Sequence, residues 1–307
     1  MKLFRIKESL EDLHKQAEYW NGYEREKAVK KLGNIGSSSS IPVLLRRVND
    51  WVPQVRLAAR ESLLALCTTQ NAEAFVNHLP NVFHLRNCGR SDHSVLIDNV
   101  IEYLLKPNNQ KIIVDNICNS DRKIARICLT LSIENKLEAP EKVIQLGFKH
   151  QDVIVRSMAF ELFKPELEGI SKPLIEMAQS DSFMPIRRET LRMLWETSHD
   201  AELLKGFLFD KHASVRALAN RLLQDGGLQR DIETLYTNEI EANSSVHKTK
   251  CAIWGIGHLK LTQHIDSILQ HLDSAYSSVR KQALISLNNI DAHNIEIVLE
   301  DALNDIL

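Results

Sequence analysis

One phrase of sequence restricts this chain more than any other, because it returns about every 31 residues. It consists of an Asp, a β-branched residue followed by Arg, a small residue and then a large apolar one. Asp50 leads Val55, Arg56, Ala59 and Leu63; Asp152 leads Val155, Arg156, Ala159 and Leu162; Asp181 leads Ile186, Arg187, Thr190 and Leu194. Two more copies follow Asp210 (Val215, Arg216, Ala219, Leu222) and Asp273 (Val279, Arg280, Ala283, Leu287). Weaker copies lie at Asp121 with Ile124 and Cys128, at Val246 with His247 and Trp254, and at Glu24, Arg25, Ala28 and Leu32. From Ile124 the β-branched position recurs at 155, 186, 215, 246 and 279. A period of this size is one helical hairpin, and a chain built of such periods stacks them rather than growing a single globular core.

Each period holds a second apolar segment at helical spacing, such as Ile41, Leu44, Leu45 and Val48, or Ile265, Ile268, Leu269 and Leu272. The expected architecture is therefore all-α: a right-handed solenoid of about nine antiparallel helix pairs. In each copy the Asp is placed to cap the first helix. Pro53 and Pro185 fall early in their helices, where a missing N–H costs little. The 69 residues between Val55 and Ile124 leave room for an extra copy centred on Val95, after an irregular join near 80–92. Residues 1–21 form a separate N-terminal capping helix, with Leu10, Leu13, Ala17 and Trp20 on one face, and 22–307 form one repeat domain.

The Asp…Val-Arg-x-x-Ala…Leu phrase, with Ile41-Pro42 opening a second helix, resembles the HEAT-repeat family in its short bacterial form over about residues 22–307. That resemblance implies a scaffold rather than a mechanism, since the family shares architecture across unrelated functions. It also implies that the arginine column (Arg25, Arg56, Arg156, Arg187, Arg216, Arg280) braces neighbouring repeats through the recurrent Asp. A phosphate-binding ladder is the alternative reading of those residues.

Charge and motif content narrow the function. The net charge is −2, against a dedicated nucleic-acid binder, but residues 1–150 carry +5 and residues 151–307 carry −7. Five scattered cysteines without a Cys-x-x-Cys pair fit reduced thiols, and the start of the chain lacks the apolar run of a signal peptide or membrane span, so a cytoplasmic location is expected. No metal or cofactor is expected: His258, His264 and His271 form no His-x-x-x-His or His-Glu pair, and no nucleophile elbow or phosphate loop occurs. Gly255-Ile256-Gly257 reads as a turn, matching Gly33 to Gly36.

In such stacks the second helices line the concave face. That places Arg46, Arg47, Glu141, Lys142, Gln145, Lys149, Glu176, Lys205, Arg230 and Glu233 on the candidate partner surface, turning acidic at Asp266, Glu296 and Glu300. Trp195, one position past the core column, is added as an interface anchor or a ring covered by the next loop, and Trp254 is expected in the core. The expected function is a non-enzymatic protein-binding scaffold or inhibitor, with a bacterial immunity or regulatory protein as its concrete version. Another protein is the expected partner, with neither nucleic acid nor membrane. The alternative is a HEAT-like DNA-repair glycosylase, hinted at only by Trp195 beside Glu196; the bilin-lyase branch of HEAT-like proteins is a third reading, with no residue marking a chromophore site.

Overall fold

A computed structural model describes residues 8–163 and 172–290. Among these the chain is helical throughout, with turns and short 3-10 segments between α-helices and no strand. After a lone α1 (Leu10–Gln16) the helices run in pairs: α2/α3 (Gly22–Ile35, Ile41–Val48), α4/α5 (Pro53–Ala65, Ala72–Asn77), α7/α8 (Ser94–Leu104, Pro107–Asp115) and α9/α10 (Arg122–Glu134, Pro140–Phe148). Two single helices follow, α11 (Val153–Phe163) and α12 (Lys172–Ser180), and then the pairs α13/α14 (Met184–Ser198, Ala201–Lys205), α15/α16 (Ala213–Asp225, Gln229–Ala242) and α17/α18 (Val246–Leu259, Ile265–Leu269). The last described helix is α19 (Ser277–Ile290), and an extra short helix, α6 (Leu79–His84), stands outside the pairing.

The contacts group the chain into two compact units, 1–165 and 166–307, within the span that the spacing reads as one array. In unit 1 the small and apolar positions of the phrase make a continuous core from Leu13 to Val155, including Ala28, Leu32, Val55, Ala59 and Leu63. In unit 2 a second core runs from Leu191 to Leu287 through Val215, Ala219, Leu223, Ala252 and Ile256. The periodic phrase is thus the buried stripe of each first helix, as its spacing requires.

The arginine column works in two directions. Backward, Nη1 of each arginine donates to carbonyls five and six residues earlier. Arg25 reaches Tyr19 and Trp20, Arg56 reaches Asp50 and Trp51, Arg156 reaches His150 and Gln151, and Arg187 reaches Asp181 and Ser182. Arg216 holds the Asp210 carbonyl and Arg280 that of Ser274 in the same way. Forward, two of them also clamp the carboxylate of the next repeat. Arg25 binds Asp50 through Nε and Nη2 at 3.0 and 2.9 Å, and Arg187 binds Asp210 at 2.7 and 2.8 Å. These forked, buried pairs fix one repeat against the next.

The aspartates differ from the expected helix caps. Asp50, Asp181 and Asp210 accept from the amides of Val52, Phe183 and His212, folding the loop ahead of the helix. Only Asp121 and Asp152 sit directly before their helices and accept from first-turn amides, Lys123 for the former and Ile154 and Val155 for the latter. Where Asp152 has moved two positions forward, His150 fills the vacated place: its Nδ1 accepts from the Asp152 amide, leaving the protonated Nε2 to donate to the Asn119 carbonyl. The clamp moves with it. Arg126, one position past the column, takes Asp152 in a forked pair at 2.7 to 3.1 Å.

Three register assignments change. The extra copy centres on Leu96, buried with Val100 and Leu104 at the offsets of Val55, Ala59 and Leu63, whereas Val95 is exposed. In α17 the column is Thr249, Ala252 and Ile256; Thr249 takes the arginine position and bonds Asn243, the counterpart of Asp210. Trp254 therefore misses the core column and lies half-buried, stacked on His258 with the Arg216 guanidinium over its other side at 4.3 Å from the ring centroid. The degenerate copy misled because Val246-His247 imitates the phrase two residues too early.

Gly255 and Gly257 belong to the interior of α17 and form no turn. A Cβ on Gly257 would fall 2.5 Å from that of Ser286 in α19, and one on Gly33 would fall 2.5 Å from Ser62 Oγ in α4. Each glycine lets two first helices approach closely; Gly36, the left-handed cap of α2, is the residue that ends that helix. At the N-terminus α1 starts at Leu10 behind a Ser9 and Asp12 capping box and is shorter than the expected 1–21, of which residues 1–7 lie outside the described ones. Leu13 and Ala17 are buried as expected, but Trp20 follows the helix and is exposed.

Two outcomes follow from this packing. Gly33→Ala should lose about 1–3 kcal/mol in urea unfolding through overpacking against Ser62, while Gly206→Ala, with open space around its Cβ position, should stay within about 0.5 kcal/mol of the parent. The ladder sets the acid limit. Burial pushes the carboxyls of Asp50 and Asp210 up, but hydrogen bonds from Arg25 and Arg187, loop amides and neighbouring positive charge outweigh it and hold both below the ordinary aspartate value. Their stabilisation is complete above that value, about 4, and disappears as pH falls through the depressed ones. Asp210→Asn should therefore cost stability at pH 7, and its deficit relative to the parent should shrink as a pH series of melts descends below about 4.

Candidate functional site

Grooves run beside several of the helices, the extra helix among them. In unit 1, α6 arises where the second helix of the α4/α5 pair stops at His78 and restarts at Leu79-Pro80, then runs through a 3-10 turn at Leu85–Asn87. This insert lengthens the step from Val55 to Leu96 and makes a wall with a groove on either side. Between α6 and α3 lies a groove of about 870 Å³ lined by Arg46, Arg47, Arg90, Trp51 and His84, among others. On the other side, against α7 and α9, a groove of about 620 Å³ is mixed in charge, with Arg86 and Arg126 facing Asp98, Glu102 and Glu134.

The first groove is basic. Arg46 is exposed and pairs with Glu18; Arg47 donates to Asp50 at 3.0 Å, with its buried Nε left without a partner; Arg90 donates to the Asn49 carbonyl at 3.0 Å. Asp50 is the groove's one lining carboxylate, and it is buried and shared between Arg25 and Arg47. At the rim Trp51 is 70% exposed, and Trp20, the equivalent residue one repeat earlier, is 74% exposed beside exposed Tyr19 and Tyr23. Both tryptophans give their carbonyls to column arginines, which fixes the loops and leaves the rings outside.

In unit 2 a groove of about 440 Å³ between α12 and α14 is acidic, lined by Glu176, Glu202 and Asp210 with Phe207 and Leu203. Lys205 pairs with Glu202, and Asp210 is committed to Arg187. The charge difference between the two halves of the sequence is thus carried into one groove of each unit.

The sequence-predicted surface residues are only partly assembled. Arg46 and Arg47 come together in the basic groove and Glu176 meets Glu202 in the acidic one. Glu141, Lys142 and Gln145 lie on α10 with Lys149 at its end, Lys142 pairing with Glu138 at 2.7 Å, and they line neither groove. Arg230 is exposed on α16, where Glu233 accepts from Gln263 at 2.9 Å and bonds His264 at 2.7 Å. Asp266 is on α18; Glu296 and Glu300 lie outside the described residues. Trp195 on α13 is half-covered: a Cβ on Gly226 would fall 2.6 Å from its ring, so the α15–α16 loop lies on it, and Glu196 beside it is exposed. Sequence reading missed Arg90, Trp51 and His84, although the irregular join was visible, because the join was read as a break rather than as a wall.

Among the described residues no three His, Cys, Asp or Glu side chains converge as metal ligands, and no helix is long and apolar enough to cross a membrane. The one thiol near an imidazole, Cys251 Sγ at 3.7 Å from His247 Nε2, is no nucleophile pair. That nitrogen bonds the Phe209 carbonyl at 2.8 Å and so carries the proton, leaving no lone pair for the thiol, and burial raises the Cys251 pKa.

No protein-family model matches the chain, and no curated protein matches it. Among solved structures it is similar to an engineered protein from the Northeast Structural Genomics Consortium, at 16% identity over 92% of this chain and 88% of that one, with a TM-score of 0.30. It is also similar to a designed armadillo repeat protein, at 11% identity over 92% of this chain and all of that one, with a TM-score of 0.20. Likenesses this loose carry no argument, and the repeat architecture rests on the helices described above.

The thiols offer a direct check of the burial pattern. Burial pushes Cys67 up to about 11 and Cys128 up to about 12, whereas Cys118 is exposed. Alkylation of the native protein at neutral pH, read by peptide mass spectrometry, should label Cys118 well before Cys67, Cys128 or Cys251.

Proposed function

We propose that this chain is a non-enzymatic protein-binding scaffold or inhibitor of HEAT-repeat type that engages another protein along its second helices, with a bacterial immunity or regulatory protein as its concrete form. The observation that carries the reading is the insert α6, which interrupts an otherwise regular stack and has a groove on either side, the one against α3 flanked by exposed tryptophan and arginine. Insertions that serve only the stack would be covered by it. This one leaves its polar side chains outward, and arginine and tryptophan are the side chains that most often anchor protein interfaces. The buried Arg and Asp side chains of these repeats, by contrast, are consumed by the Arg–Asp ladder, which leaves them a structural role.

The test uses the full chain as bait in the organism that encodes it. A stoichiometric protein partner should copurify, bind again after separate purification, and lose at least about tenfold in affinity when Trp51 and Arg90 are both replaced by alanine. Recovery of no protein, together with turnover of a substrate or with tight duplex binding that weakens steeply with salt, would overturn the scaffold reading in favour of the glycosylase alternative.

A further inference from the structure

We infer that the groove between α3 and α6 binds an acidic, extended segment of a partner protein, with carboxylates taken by Arg46, Arg47 and Arg90 and an apolar side chain laid on Trp51. This assignment rests on the scaffold reading and specifies the chemistry of its partner.

The argument begins with charge left over after folding. Three arginines and a single carboxylate line the groove. That carboxylate, Asp50, is 4% exposed and already holds Arg25 in a forked pair and Arg47 by a third bond, so it is spent on the fold and turns no charge outward. Arg90 has its one bond to a backbone carbonyl, which neutralises nothing. Arg46 is answered only by Glu18, in an exposed pair. An exposed ion pair of this kind contributes little and exchanges readily for an equivalent one.

The rim supplies the apolar half. Trp51 projects 70% of its surface while its carbonyl is pinned by Arg56, so the ring is presented on a fixed backbone. A rigid, exposed indole beside guanidinium groups is a low-entropy anchor for a chain that alternates acidic and apolar residues.

A single-stranded nucleic acid would also use arginine and aromatic rings. The observations favour the peptide, because a polyanion needs a long positive track, whereas the neighbouring groove contains Asp98, Glu102 and Glu134 and the chain as a whole is at −2. A short acidic segment needs only the local excess.

The experiment titrates the full chain into a fluorescein-labelled peptide of alternating Glu and Leu-Gly units, with a Lys-for-Glu peptide and a labelled oligothymidine of equal length as the other arms, all read by anisotropy. The acidic peptide should bind, the Lys peptide should not, and binding should weaken about tenfold when salt is raised from low to about 0.3 M. Arg46→Gln/Arg90→Gln should weaken the peptide about tenfold with an unchanged melting curve, and the peptide-induced change in tryptophan fluorescence should vanish in Trp51→Phe. Failure of the acidic peptide to bind, equal binding by the double variant, or tighter binding of the oligothymidine would each overturn the assignment. If a copurified partner binds the double variant as well as the parent, the scaffold reading stands and the acidic-groove assignment falls. If the peptide binds as described while no partner is recovered and substrate turnover or salt-sensitive duplex binding is found, the groove stands and the scaffold reading falls.

Discussion

The forked contact between an arginine of one repeat and an aspartate of the next governs this architecture. A helical hairpin cannot bury its own apolar face, so stability comes from seating each hairpin on its neighbour in the right register. Apolar stripes alone would tolerate sliding, because leucine against alanine looks much the same one turn along. A buried guanidinium does not tolerate it: displaced by a turn, Arg25 would itself be charged, buried and without its carboxylate, and Asp50 would keep only Arg47, at a cost of about 3–5 kcal/mol. The same arginine holds the carbonyls of its own preceding loop, so loop shape and repeat register are set by one side chain.

This explains how the chain absorbs irregularity. Where the aspartate has moved to 152, the arginine has moved to 126 and a histidine completes the loop; the contact persists although the residues making it do not align. Where an extra helix is inserted after His78, the ladder is interrupted, with Ile97 in the arginine position, and its place is taken by Arg60 and Arg90 reaching backbone carbonyls of neighbouring loops. Polar bracing is retained there without charge pairing, and unspent positive charge is left at the surface.

The period, the helix pairing and the bracing role of Arg25 and Arg187 were legible in the sequence, since buried stripes and buried ion pairs both impose strict offsets. Other features were not. Val246-His247 satisfied the pattern by composition, while the residues that occupy the column, Thr249 and Ala252, look ordinary until their burial is known. Gly33 and Gly257 resembled turn glycines because a helix interior rarely uses glycine; only the closeness of Ser62 and Ser286 shows what they are for. Of the candidate surface, single exposed positions such as Arg46 and Glu176 could be named from helix phase. Which of them share a groove depends on how α6 and α14 are placed, and that is tertiary information.

Unit 2 contains the counter-example to the ladder. Arg216 is buried, yet the position that should answer it holds the neutral Asn243, whose side chain is turned to Thr249. Its Nε has no partner, nor has Nδ2 of Asn220 on the same helix. Between α15 and α17 stands Tyr236, its ring filling the space that Gly255 vacates and its hydroxyl bonded to Asn220. The junction is held by an aromatic wedge and a cation over Trp254 instead of a salt link. Such contacts depend on fit and lack the long reach of paired charges, so salt, which weakens exposed charge pairs elsewhere on the molecule, would scarcely change how firmly this seam holds.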